Sequence, residues 1–269
     1  MQTSHKVAAG RAILAAEVMG RGQPVVFLHA AVCDSRMWQA QLDAVAASHQ
    51  AIAYDRRGFG RTVAEKQDHS AVGDLLTVID TVAKGTSAIL VACSQGGRIA
   101  LDAALLHPAR IRGLVLISPS VSGAPDPVLP PKIQTLVAAQ KAAEAAGDLD
   151  RVNAIKARLW LDGPLQPEGR VAGAARDLFL DMNGTVLRAP PAGANIDAAT
   201  ALPRLGEIAA PALVICGDAD FPHIHGRSRD MATALPHASF HALPGAAHLP
   251  SLERPAEITR LLLDFLGRL

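Results

Sequence analysis

Four side chains in this sequence have the types and placement that nucleophilic catalysis uses: Ser94, His248 and the two carboxylates Asp218 and Asp220. The serine sits in A-C-S-Q-G-G, residues 92–97, behind an apolar run and ahead of a helical pattern that starts with Arg98-Ile99-Ala100-Leu101. A buried strand should stop at Ser94 and reverse sharply into a helix. That geometry lifts one hydroxyl above a sheet edge and aims the next amides at any negative charge forming there. A side chain at Gly96 or Gly97 would clash at such a crossing. The string by itself also describes a plain strand-to-helix turn with a capping serine. A serine hydroxyl becomes a nucleophile when an imidazole takes its proton, and the imidazole needs an acceptor on its other nitrogen. His248 lies in G-A-A-H, residues 245–248, and the two carboxylates lie in G-D-A-D, residues 217–220. Each follows an apolar strand-like run, so parallel strands would bring both loops to the edge that carries Ser94.

Other reactive types fit bland roles better. Cys33, Cys93 and Cys216 form no C-x-x-C pair, and a free cysteine in an apolar run behaves as a small hydrophobe. Cys93, one residue before the turn, should point back into the fold. His223 and His225, with His241, lack a carboxylate cluster, so no metal site is expected. Residues 54–61, Y-D-R-R-G-F-G-R, mark a tight turn whose charges fix loop shape or face water. They lack the further glycine and the lysine of a phosphate loop.

The elements that position these groups can be read from hydrophobic pattern. At 269 residues, 49% hydrophobic and 19% charged, the chain can bury a large core. A net charge of +1 without a basic block, and only 3% aromatics, give no reason to expect nucleic acid or an anionic membrane as partner. Arg11 and Glu17 interrupt the apolar residues near the start, so a signal peptide is not expected, and no segment approaches the ~20 apolar residues of a membrane span. The expectation is a soluble, cytoplasmic protein. Strands are predicted over residues 12–18, 24–29, 51–54, 87–93, 111–117, 211–216 and 239–243. Helices are predicted from Asp34 or Ser35 to Ala46, and over 70–82, 98–106, 227–235 and 255–266. Their alternation predicts an α/β fold with a mostly parallel sheet and helices on both faces. Between 124 and 210 no buried strand is expected; proline-rich connectors flank helices at 132–146, 150–161 and 172–179. Such a segment reads as a helical cap or as an independent binding domain. Its larger apolar groups, including Trp160, Phe179 and Met182, line a pocket or pack the cap together.

With these motifs, and with V-F-L-H-A-A at 26–31 and V-I-C-G-D-A-D-F-P at 214–222, the chain resembles the α/β-hydrolase family over nearly its whole length. It is most similar to the small esterases, enol-lactonases and cofactor-free perhydrolases with helical caps. The resemblance implies a core of residues 1–123 and 211–269 and a cap of 124–210. It implies Ser94 as nucleophile, His248 as base and Asp220 as acid, the G-x-x-D spacing preferring Asp220 to Asp218. Oxyanion donors would be the amides of Ala31 and Gln95, since an amide pair holds alkoxide charge whatever side chains it carries. His29 would support the oxyanion loop and border a pocket with Trp160, Phe179, Met182 and His223. Ala30 and Ala92 stand where the family usually has glycine. The implied function is a serine hydrolase, without cofactor or metal, cleaving a small-molecule ester or lactone through an acyl-enzyme. Carbon–carbon bond hydrolysis of a vinylogous diketone, and non-catalytic binding of a small ligand, are the alternatives. A monomer and a homo-oligomer are equally compatible with the sequence.

Overall fold

Strands buried on both faces give this fold its centre. In the computed structural model, which describes residues 2–269, every residue of β3 (Pro24–Leu28), β6 (Ala88–Cys93) and β8 (Ala212–Gly217) is buried. In β7 (Ile111–Ile117) only Arg112 is exposed. Runs covered on both sides are the mark of parallel strands. With β1 (Thr3–Ala9), β2 (Ala12–Gly20), β4 (Gln50–Tyr54) and β9 (Ala238–Leu243) they form one sheet in the order β1-β2-β4-β3-β6-β7-β8-β9, and β5 (Val63–Ala64) pairs with β2. From β4 to β9 all neighbours are parallel; β1, β2 and β5 pair antiparallel. The register sets Leu28 beside Ala92, Cys93 beside Ile117, and Ile117 beside Ile215. The loops that follow β3, β6, β8 and β9 therefore leave from one edge.

Alternation along each strand divides the core into two layers. Ala88, Leu90 and Ala92 pack with Val72, Leu75 and Ile79 of α2 (Ala71–Val82) and with Ile99 and Ala103 of α3 (Gln95–Leu106). Ile89, Val91 and Cys93 pack with Leu42 and Val45 of α1 (Gln39–Val45). The same layer takes the stripe Ile258, Leu261, Leu262, Phe265 and Leu266, which belongs to the last helix of the chain, Pro255–Leu266. Ser70 caps α2 as expected, its Oγ accepting the Gly73 amide at 2.7 Å. No helix among the described residues is long and apolar enough to cross a membrane.

Several boundaries differ from expectation. The hairpin partner β1 was not anticipated, because as an edge strand it buries only Val7 and Ala9. Asp34 caps a single 3-10 turn, Ser35–Trp38, before α1 begins. The inserted helices are α4 (Pro131–Ala145), α5 (Leu149–Lys156), which continues as a π-helical turn Ala157–Asp162, and α6 (Ala174–Arg188). The sequence ends α6 at 179, yet it runs to Arg188. Asn183 and Gly184, poor helix residues in isolation, are buried against α5, where Asn183 Nδ2 donates to Asn153 Oδ1 at 2.7 Å. Helix α7 (Pro222–Ala234) starts five residues earlier than 227, with proline in its first turn, so His223 and His225 are helical and not in a loop. A last short helix, α8 (Pro250–Glu253), precedes the final one, α9 (Pro255–Leu266).

Candidate active site

At the end of β6 the backbone of Ser94 takes φ +54° and ψ −117°, a region that residues with a side chain rarely enter. Hydrogen bonds hold it there. Its amide donates to Ile117 O at 3.1 Å, and its carbonyl accepts from Gly97 at 2.9 Å and Ser120 at 3.0 Å. The helix behind it fits only because position 96 is glycine: a Cβ there would lie 2.5 Å from the Leu28 carbonyl oxygen. Gly96→Ala should therefore cost roughly 1–3 kcal/mol, the usual range for overpacking. Denaturant titration reads this directly, and a change under about 0.5 kcal/mol, as at an ordinary surface position, would mean that the crossing is looser than drawn.

Past β8 and β9 the chain brings Asp220 and His248 together. Asp220 Oδ2 accepts from His248 Nδ1 at 2.8 Å, and Oδ1 accepts the Phe221 amide at 2.7 Å; both side chains are buried. An ionised carboxylate only accepts, so it fixes the imidazole proton on Nδ1 and leaves Nε2 with a free lone pair. Nε2 is buried and has no hydrogen-bond partner among the described residues. Asp218 is exposed and accepts the Gly245 amide at 2.6 Å, a turn-forming bond. Of the two carboxylates, Asp220 is the one within hydrogen-bond reach of His248.

The other expected groups are placed unequally. The amides of Ala31 and Gln95 donate to no acceptor among the described residues, and both residues are exposed. His29 is fully buried, with Nδ1 on Ala30 O at 2.8 Å and Nε2 accepting the Arg56 amide at 3.1 Å. Burial first, and then Arg56, pull its pKa well below the usual imidazole value, so it is a neutral strut of the loop. Trp160 is half-buried, with its ring centroid 4.6 Å from those of both His248 and Phe221. His223, half-buried, stands edge-on to Phe221 at 5.5 Å, and burial followed by Arg227 lowers its pKa. Phe179 and Met182 are fully buried with Ala157 and Leu161, and Met182 Sδ accepts the Asp34 amide at 3.5 Å. They belong to the packed apolar layer, not to an open wall. Cys93 points inward as expected: Sγ donates to His248 O at 3.7 Å, and burial raises its pKa well above the thiol range, so no thiolate forms there. Among the described residues no group of three or more His, Cys, Asp or Glu side chains is placed to hold a metal ion.

Two features were not legible in advance. Arg56, read as a loop-shaping or solvated charge, is buried: Nη1 donates to Gln95 Oε1 at 2.7 Å and Nη2 to His29 O at 3.0 Å, with Phe59 4.6 Å from the guanidinium. Its neighbours do shape the turn, Asp55 by accepting the Ser35 and Arg61 amides and Arg57 by pairing with Asp74 at 2.8 Å. The doubled arginine in a glycine turn was the available signal. The second feature ties the insertion to the His248 loop. Arg170 pairs with both carboxylate oxygens of Glu253 and donates to Gly245 O at 2.9 Å, while Glu253 Oε2 also accepts the Ala247 amide at 2.9 Å.

The sequence profile of the alpha/beta hydrolase family matches residues 25–261. A protein of Variovorax paradoxus named "Putative carbamate hydrolase RutD" is 31% identical over 247 residues, covering 86% of each chain. The 2-hydroxy-6-oxo-6-phenylhexa-2,4-dienoate hydrolase of Burkholderia cepacia is 29% identical over 265 residues, 92% of this chain and 89% of that one. Among solved structures, the enol-lactonase of Burkholderia xenovorans LB400 is similar with a TM-score of 0.73 and 25% identity, covering 97% of this chain and 99% of that one.

Proposed function

The chain belongs to the alpha/beta hydrolase family and is an enzyme of that type, and from this premise we propose that it is a serine hydrolase of small-molecule carboxylic esters or lactones. Ser94 Oγ attacks the carbonyl carbon while its proton passes to His248 Nε2. Asp220 stabilises the imidazolium that results, and the amides of Ala31 and Gln95 hold the alkoxide. The imidazolium then protonates the leaving oxygen as the carbon–oxygen bond breaks. Water, giving its proton to Nε2, attacks the acyl carbon; the bond from that carbon to Ser94 Oγ then breaks as the imidazolium returns the proton to Oγ, releasing the acid. The observation that carries this reading is the His248 ring, bound to Asp220 through Nδ1 and free at buried Nε2, on the same sheet edge as Ser94.

Fluorophosphonate labelling followed by peptide mapping tests it, together with a screen of ester chain lengths and lactones. Label on Ser94 with turnover of an ester or lactone is expected. No label, or label elsewhere, rejects the acyl-enzyme and favours a ligand-binding protein. The similarity to the Burkholderia cepacia hydrolase favours a second reading, hydrolysis of a carbon–carbon bond in a vinylogous diketone, and such a diketone belongs in the same screen.

The reading extends to the insertion, residues 124–210, as a helical cap that sets acyl specificity. Its support is Trp160, whose ring, on the turn after α5, lies tilted against His248 with centroids 4.6 Å apart. Trp160→Ala should move the preferred ester chain length, changing kcat/KM for a long relative to a short acyl group by about 10-fold, the scale of one or two methylenes in a pocket. Equal effects on an acetate and a hexanoate ester would remove Trp160 from specificity.

A further inference from the structure

A cavity of about 210 Å³ opens where the turn after β4 meets the first turns of α2 and α3, and Gln95, next to Ser94, forms part of its wall. Arg56, Arg57 and Arg98 line it, against one carboxylate, Asp74. Asp74 is fully engaged, accepting Arg57 Nε at 2.8 Å and Nη2 at 2.9 Å. Arg98 lies 3.6 Å from Asp102, which also accepts Ser122 Oγ at 2.5 Å. A further carboxylate nearby, Asp197, takes the Ser70 hydroxyl and the Val72 amide. Arg56 makes no salt bridge among the described residues; its acceptors are the neutral oxygens of Gln95, His29 and Ala30. Burial pushes its pKa down to about 10, which still leaves it charged at neutral pH.

The donors around this cavity are also unmet. Arg56 Nε, Arg57 Nη1 and Tyr54 Oη are buried without a hydrogen-bond partner among the described residues, while Arg98 Nε faces Asp102 at 3.6 Å. Tyr54 itself is fully buried and Arg57 nearly so. A buried cation without a counter-charge is costly, and Arg56 beside unpartnered N–H and O–H groups favours a group that is negative and only accepts. A planar carboxylate is both, and guanidinium groups bind it through paired hydrogen bonds.

We propose that this cavity is a carboxylate subsite, taking an anionic arm of the molecule that is hydrolysed at Ser94. Preferred substrates are then half-esters of short dicarboxylic acids, or lactones with a carboxylate side chain. The proposal rests on the hydrolase reading for the identity of the reacting end. Its placement follows from Gln95, whose amide is the proposed oxyanion donor and whose side chain borders the cavity.

Matched substrates test it. Wild-type protein should show at least a 10-fold higher kcat/KM for mono-4-nitrophenyl succinate or glutarate than for 4-nitrophenyl butanoate or pentanoate, mainly through KM. In Arg56→Met the ratio should fall to near one, and in Arg98→Gln, at a half-exposed position, it should fall in part. The ratio is the measure because Arg56 also supports the oxyanion loop, so both rates drop. Free glutarate is the second arm: calorimetry should find one site, at least 10-fold weaker in Arg98→Gln. Hydrolysis of neutral esters with no half-ester preference and no glutarate binding overturns the subsite and leaves the hydrolase standing. A preserved ratio in Arg56→Met, or tighter binding of inorganic phosphate than of glutarate, also overturns it. Glutarate binding that weakens in Arg98→Gln, in a protein that turns over no ester, keeps the anion site and removes the hydrolase reading.

Discussion

Ser94→Ala should lose about 10⁶-fold in kcat on any ester or lactone that the wild type accepts, the order seen when a serine nucleophile is removed elsewhere. Fluorophosphonate labelling should disappear with it. The melting temperature should hardly move, because alanine keeps the Cβ and therefore the backbone strain at φ +54°. Ser94→Gly separates the two roles of the position. Glycine enters this region freely, so the variant should be as inactive as alanine yet more stable by about 1 kcal/mol, or ~2–4 °C for a chain of this size. Near wild-type turnover in either variant would sink the assignment. Cys93→Ala is the control for the adjacent thiol and should retain activity.

Asp220→Ala should cost about 10⁴-fold in kcat, the scale met when an imidazole loses its tautomer-fixing carboxylate. The cause is local. Without Oδ2 at 2.8 Å, no other acceptor among the described residues holds the proton on Nδ1, and a neutral ring protonated on Nε2 accepts nothing there. The Phe221 amide loses its acceptor as well, so some loss of stability accompanies the loss of rate. Asp218→Ala removes only the exposed acceptor of the Gly245 amide, and should cost about 1 kcal/mol of stability with kcat nearly intact. If Asp218→Ala proved the slower enzyme, the pairing of acid and base would have to be reassigned.

The parallel centre of this fold was legible because β3, β6 and β8 are nearly continuous apolar runs and β7 is interrupted only by Arg112, and such runs have few other places to go. The same holds for α9, whose five apolar residues at helical spacing pack into the core as one stripe. Where burial is partial the pattern fades. β1 buries only alternate residues at its end, which leaves little pattern to read, and the sequence reading stops α6 at Phe179, short of Asn183 and Gly184, whose suitability depends on a partner helix. The candidate site divides along the same line. Ser94, Asp220 and His248 follow strands, so topology alone brings them to one edge. Phe179 and Met182 are apolar in an inserted helix, which leaves their facing undecided until the packing is seen, and they face the core. Arg56 was hidden for the opposite reason. A charge in a glycine turn ordinarily meets water, and only tertiary structure reveals that this one does not.

Glu253 serves two masters. Its carboxylate, with only 7% of the side chain exposed, grips Arg170 of the inserted segment and the Ala247 amide beside His248. Any excursion that lifts Arg170 away also strands a mostly buried anion next to the loop that carries the imidazole. Displacement of the inserted segment and disorder of the loop that carries His248 are thereby coupled through one carboxylate.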